Sequence, residues 1–366
     1  MTYWKWLPII VGCLTATGST NSIRNDPDWT RRLSSEIEQI NAATPGEMGV
    51  YIKNLTDGSD LSYQASRNWY LSSTTKIPIA IVLLQEVERG GLRLSQKITL
   101  QSSDRIDGAG TLLHQKIGAT FSLRELLKRM IIESDSTATN MLVRLLGRSR
   151  LNAGIEALAG DGFGPVTDIT EVRREAYSEL HPRARELTNL DFIEIKKSGP
   201  PAARLNTFLR KLRITREELQ ASTIEDAFER YYRKNTNSGT LEAFGKLLEN
   251  LFTGRLLNKV HTGMLLEHLN RIETGEKRIK AGLHADTPFA QKTGTQINRI
   301  CNVGIVHPKE SEGWVVAACL ENFQNQSQAE KALTNLGQAL ETALSPQTAT
   351  AALGRTQKPG KPEPPV

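Results

Sequence analysis

The sequence predicts an α+β fold in which both ends of the chain close one domain around a helical middle. Three observations carry this. β-Rich runs lie near both termini, Met48 to Ile52 with Asp60 to Tyr63, and Ile300 to Val306 with Trp314 to Cys319. The stretch between them is dominated by helical spacing. An amphipathic helix at each end, over 28–42 and about 328–344, accompanies the strands.

The elements follow in order. Trp29, Leu33, Ile37 and Ile40 recur at helical spacing behind Asp28, a helix start signal. Asp57-Gly58 between the first two β-rich runs marks a strand–turn–strand unit. A long apolar helix is expected over 73–90, with Ile77 to Val87 as its body, and further helices over 122–133, 137–147 and 150–158. Residues 165–235 are densely charged and helix-favouring, which predicts short solvated helices. The last two β-rich runs flank the polar turn Pro308 to Glu312.

Composition excludes several classes. The chain has 366 residues, enough for one large or two modest domains. With 39% apolar and 23% charged residues it is neither disordered nor fibrous. Its net charge of +6, from 46 basic and 40 acidic residues, is too weak for a dedicated nucleic-acid binder. Three cysteines exclude a disulfide scaffold and a four-thiolate zinc site. Six scattered histidines form no paired ligand motif, so no metal or other cofactor is expected.

The two ends read differently from the middle. Lys5 precedes an apolar run, Trp6 to Leu14, of about half the roughly 20 residues a membrane span needs. A small polar stretch follows, the order of a secretory signal over 1–25. A ragged N-terminus is the alternative. Ile10-Val11-Gly12-Cys13 resembles a bacterial lipobox, which makes Cys13 a lipidation candidate and the protein an exported one, in the periplasm or cell envelope. Residues 346–366, rich in proline and glycine, read as a disordered tail.

Three short motifs carry chemistry. Ser73-x-x-Lys76 stands where the long apolar helix begins, and one helical turn puts both side chains on one face. A lysine whose pKa is lowered by burial can take the proton of a serine nucleophile. Ser134-Asp135-Ser136 lies between two predicted helices, and Lys292-Thr293-Gly294-Thr295 precedes the last β-rich pair. Each has a bland reading alone: a helix cap, a second cap and a strand entry.

Together and in this order, the three resemble the serine β-lactamase and penicillin-binding protein superfamily, most closely its class A β-lactamase-like members. The resemblance covers roughly residues 28–345. It implies a five-stranded antiparallel sheet flanked by terminal helices, built from 26–70 and 270–345, plus an all-helical domain over 71–269. It implies Ser73 as the acyl-forming nucleophile, Lys76 as its activator, and Ser134 as proton donor to the departing nitrogen, with Lys292 close by. Lys292, Thr293, Gly294, Thr295 and Ser136 would serve substrate binding, with Arg299 as a further candidate for the carboxylate. The backbone N–H groups of Ser73 and Thr295 would form the oxyanion hole, and Asp135 would order its loop.

The pattern departs from the family in two places. Ser136 stands where Asn is usual, which shortens the reach to a substrate amide. The Glu-x-x-x-Asn element that activates the deacylating water has no match in Thr167 to Ala176; Glu171 and Glu175 are candidates by spacing, without the Asn. The implied activity is β-lactam hydrolysis. A D,D-carboxypeptidase or peptidoglycan peptidase, or a non-turnover penicillin-binding protein, stands as the alternative. The implied partner is a small β-lactam or a peptidoglycan peptide, bound by a monomer, with a lipid anchor if Cys13 is modified. Cys301 and Cys319 sit symmetrically about the turn near residue 310, as a cross-strand disulfide or as two buried thiols.

Overall fold

The computed structural model describes Met1, residues 28–308 and residues 313–344. The predicted signal segment with Cys13, most of the turn after Pro308, and the C-terminal tail lie outside the described residues.

Helix α1 (Asp28–Ala43) leads into strands β1 (Glu47–Asn54), β2 (Asp60–Tyr63) and β3 (Asn68–Tyr70). A 3-10 turn, Ser72–Thr75, then opens α2 (Lys76–Glu88). Next come β4 (Lys97–Thr99), β5 (Thr120–Ser122), α3 (Leu123–Ile132), α4 (Ser136–Leu146) and α5 (Arg148–Ala159). The charged stretch forms α6 (Ile169–Ser178), α7 (Asn189–Lys197), α8 (Pro201–Leu212) and α9 (Ile224–Tyr232). The chain returns through β6 (Ser238–Thr240), α10 (Leu241–Phe252), α11 (Lys259–Asn270) and α12 (Ile279–Gly282). It finishes with β7 (Phe289–Gln296), β8 (Arg299–Val306), β9 (Trp314–Glu321) and α13 (Gln326–Leu344).

The main sheet has five antiparallel strands in the order β2-β1-β9-β8-β7. N-terminal β1 pairs along its whole length with C-terminal β9, so the two ends do close one domain. Side chains alternate between two cores, as a period of two requires. Along β9, Val316, Ala318 and Leu320 join α1 and α13 through Leu33, Ile37 and Leu336. Val315, Ala317 and Cys319 point the other way, toward α2, α3, α4 and α10. Helix α2 carries no polar stripe over Ile77 to Leu84 because it is enclosed on every side.

Cys301 and Cys319 face each other directly in the β8–β9 register, and their Cα atoms are 4.1 Å apart. They are joined as a disulfide, which decides between the two sequence readings.

The charged stretch corrects its expectation. Its helices are not merely solvated: Tyr177, Phe192, Phe208, Phe228 and Tyr231 enclose a third hydrophobic cluster that reaches Tyr70 and Ile106. The apolar residues recur at helical spacing but are outnumbered by charges, which pair on the surface, as in Lys211–Asp191 and Arg183–Glu186. Composition hid the pattern that spacing carried.

Candidate active site

The nucleophile candidate sits on a tight turn. Ser72 adopts φ +50°, a left-handed conformation costly for a serine, and Ser73 follows at half-buried depth. Thr74 then bonds back to the Leu71 carbonyl through its N–H at 3.1 Å and its hydroxyl at 2.7 Å. Strand β7 presses against this turn at Gly294. A Cβ there would meet the Leu71 oxygen at 2.6 Å and Ser72 Cβ at 2.7 Å, so only glycine admits the contact. The motif glycine therefore brings Thr295 to the cavity that Ser73 lines.

Ser134 also takes a left-handed conformation, φ +56°, between α3 and α4. Its Oγ accepts from Lys76 Nζ at 3.1 Å and from Lys292 Nζ at 2.9 Å. Lys76 Nζ also donates to the Ser134 carbonyl at 2.5 Å, and Lys292 to that of Thr293 at 3.2 Å. A hydroxyl with both lone pairs occupied keeps one proton to give. Both lysines are enclosed, with exposures of 1% and 0%. Burial pulls the Lys76 pKa down to about 7 against the opposing pull of Asp135. Burial, then Lys76 and Arg278, hold Lys292 well below the usual lysine range.

Asp135 orders the loop, as read from the sequence. It caps α4 by accepting from Ala138 N–H at 2.8 Å and takes Leu112 N–H at the same distance. Ser136 opens α4, is buried and lines the cavity; its N–H donates to the Ala109 carbonyl at 3.0 Å.

The cavity beside Ser73 has a volume of about 230 Å³. Ser73, Ser134, Ser136, Thr293 and Thr295 line it together, so the three motifs converge. A larger cleft, about 710 Å³, runs between α1 and α13, away from these residues. Among the described residues no cluster of His, Cys, Asp and Glu suits a metal.

Two predicted assignments need correction. Arg299 does not line the cavity. Its guanidinium pairs with Glu229 at 2.6 Å and Glu321 at 3.2 Å, bonds Asn322 Oδ1, and lies 4.5 Å over the Tyr232 ring. Arg278 stands at the site instead. It is 3% exposed, lines the cavity, and donates to the Gly294 and Cys301 carbonyls and to Thr295 Oγ1 at 2.6 Å. A lone arginine in the charged run Glu276-Lys277-Arg278 gave no sequence signal.

Glu171 and Glu175 are the second correction. Neither lines the cavity; α6 turns Ile169, Val172 and Arg173 toward it. Residues four apart share a helix face, so the spacing that nominated the two glutamates keeps both on the other side. Glu171 pairs with Arg148 at 3.0 Å and Arg185 at 3.2 Å. Burial would raise its carboxyl, but these arginines win and hold it below the usual range. Glu175 is raised, by burial first and by Glu171 next. The cavity-facing pair at the same i, i+4 spacing is Ile169 and Arg173, and among the described residues no carboxylate lines the cavity.

Comparison with known proteins agrees with this arrangement. Residues 32–344 match the model of the beta-lactamase enzyme family. The beta-lactamase CTX-M-97 of Escherichia coli is 25% identical over 147 residues, 40% of this chain and 47% of that protein, so the match spans about half of that relative. The beta-lactamase CTX-M-6 of Salmonella typhimurium is 23% identical over 81% of this chain and 79% of its own length. A mutant of PBP-A, solved as an acyl-enzyme complex with penicillin G, shares the fold with a TM-score of 0.65 and 19% identity, covering 86% of this chain and 96% of that one. A beta-lactamase from Chitinophaga pinensis has the same TM-score, with 19% identity over 86% and 99% of the two chains. The match over residues 32–344, carried by a fold and three motifs that meet in one cavity, shows that the chain belongs to the beta-lactamase enzyme family.

Proposed function

We propose that this protein is a serine hydrolase that opens β-lactams through an acyl-enzyme on Ser73. The observation that carries the reading is the Ser134 hydroxyl held between two buried lysines beside the cavity that Ser73 lines. Neutral Lys76 takes the Ser73 proton, directly or through Ser134, and Ser73 Oγ bonds to the lactam carbonyl carbon. The resulting oxyanion accepts from the N–H groups of Ser73 and Thr295, each worth about 3–4 kcal/mol of barrier in comparable sites. The C–N bond breaks, the Ser134 proton goes to nitrogen, and Lys76 returns a proton to Ser134. The Thr295 hydroxyl, already accepting from Arg278, donates to the substrate carboxylate alongside Thr293, Lys292 and Arg278. Water then adds to the ester and releases the acid.

A second reading, a long-lived acyl-enzyme, is favoured by one observation: the Ile169 and Arg173 pair supplies no base for that water. Incubation with a fluorescent penicillin and a chromogenic cephalosporin, followed by intact mass, tests both. Turnover that Ser73→Ala abolishes supports hydrolysis, a stable adduct supports the second reading, and no adduct refutes the acyl-enzyme.

The proposal extends to location: an exported protein of the periplasm or cell envelope, with Cys13 as its lipid site. The Cys301–Cys319 disulfide supports an oxidising compartment. Mass analysis of the mature N-terminus checks it, and an intact Met1 in cells would count against export.

A further inference from the structure

The cavity has a second arginine that none of the acylation steps uses. Arg173 on α6 lines it together with Tyr70, Asn237 and Ser73. One edge of its guanidinium is fully engaged. Nε donates to both Asp107 oxygens at 2.9 and 3.1 Å, and Nη2 to Oδ2 at 2.8 Å. Asp107 is itself buried, at 5% exposure, so the fork cannot swing away. The remaining nitrogen, Nη1, is buried and has no hydrogen-bond partner. A planar guanidinium clamped along one edge presents the other in a fixed direction, and an unmet buried donor favours any acceptor that reaches it.

Charge points to an anionic acceptor. Two arginines, Arg173 and Arg278, line the cavity. No carboxylate lines the cavity among the described residues. The leaving-group carboxylate already has Thr293, Thr295 and Arg278 on the β7 side. Arg173 reaches in from α6, a different wall.

We propose that Arg173, held by Asp107, is a specificity-determining residue that binds a carboxylate on the acyl portion of the substrate. The preferred substrate is thus a dianion, with one carboxylate on the leaving group and one on the acyl chain. This rests on the acyl-enzyme reading above for the direction in which the substrate lies.

Benzylpenicillin and carbenicillin differ by one carboxylate on the acyl side chain and serve as probes. Second-order acylation constants are measured by intact mass for the full chain, for Arg173→Gln, and for Arg173→Gln with Asp107→Asn. The double variant replaces the ion pair by two amides, so no buried charge is stranded if the single variant unfolds. Dissociation constants on a Ser73→Ala background are read by calorimetry. The expected result is a carbenicillin-to-benzylpenicillin ratio of about ten or more in the wild type, falling at least tenfold without Arg173. A ratio within twofold of unity in the wild type, or one unmoved in both variants, overturns the proposal. Absence of any adduct overturns the acyl-enzyme reading alone, because the calorimetric ratio still decides the role of Arg173.

Discussion

The pH dependence of acylation follows from where Lys76 sits. An ordinary lysine, with its pKa at 10.5, has only about one molecule in 3,000 neutral at pH 7. Enclosure brings the Lys76 value to about 7, where half the molecules are neutral, a gain on the order of 1,500-fold in the basic form. The acylation constant should therefore rise about tenfold per unit below pH 7 and level off above it. Stopped-flow measurement of acylation from pH 5.5 to 9 reads the profile, and Lys76→Met should lower the plateau by about 10² to 10⁴. The same shift has a stability consequence of opposite experimental character. Between pH 7 and 10.5 the unfolded chain binds a proton at Lys76 that the folded chain does not, so stability rises with pH across that window. The shift corresponds to about 5 kcal/mol of penalty on the charged form. Lys76→Met should thus stabilise the protein near pH 7 in urea titrations, with the advantage shrinking toward pH 10. A midpoint near 10 in the rate profile, or normal acylation by Lys76→Met, would refute the reasoning.

Three further outcomes are expected. Ile169→Glu places a carboxylate on the cavity wall and should speed deacylation by about 10² to 10⁴, read as loss of the penicillin adduct in intact mass; an unchanged adduct lifetime would count against α6 as the deacylation wall. Gly294→Ala forces a methyl against Leu71 and Ser72, and should cost about 1–3 kcal/mol of stability along with most of the acylation rate; a wild-type melting temperature and rate would contradict the contact. Replacing Cys301 and Cys319 with alanine opens a loop of sequence separation 18 and should cost about 3 kcal/mol, checked by denaturant unfolding against the intact protein.

Legibility in the sequence followed the range of the interactions involved. The paired termini, α2 and the Ser73, Ser134 and Lys292 motifs were readable because each depends on residues adjacent in the chain: a period, a cap, a turn. Arg278 was not, because its role comes from Gly294, Thr295 and Cys301 carbonyls and hydroxyls brought to it by β7 and β8. Arg299 misled for the mirrored reason. Its position near the last motif suggested the site, but Glu229 from the helical insertion and Glu321 from β9 claim it. Glu171 and Glu175 were nominated by spacing alone, and spacing fixes which residues share a face without fixing which face meets the cavity.

The insertion gives this chain's chemistry its own division of labour. On the proposed mechanism, the nucleophile, its base and the proton donor are anchored to the sheet and to α2, α3 and α4, through Gly294 against the Ser72 turn and through Ser134 between its lysines. Another wall of the cavity is built separately, by Ile169, Val172 and Arg173 of α6. That helix is fixed from behind: Tyr177 on its far turn packs against Phe192, Phe208 and Phe228 at 5.5–6.2 Å, while Asn140 accepts the Ile169 N–H at 2.9 Å. The insertion also packs Tyr232 at 4.5 Å on Tyr70, three residues before Ser73. A wall so supported cannot simply roll α6 by the fraction of a turn that would bring Glu171 or Glu175 round, since Arg173 would have to leave Asp107 and Glu171 its arginines. Breaking the buried Arg173–Asp107 pair alone costs about 3–5 kcal/mol. The same rigidity that keeps a carboxylate off this wall holds Arg173 in place, so the proposed selectivity for an acyl carboxylate and the second reading, a long-lived adduct, would share one structural cause.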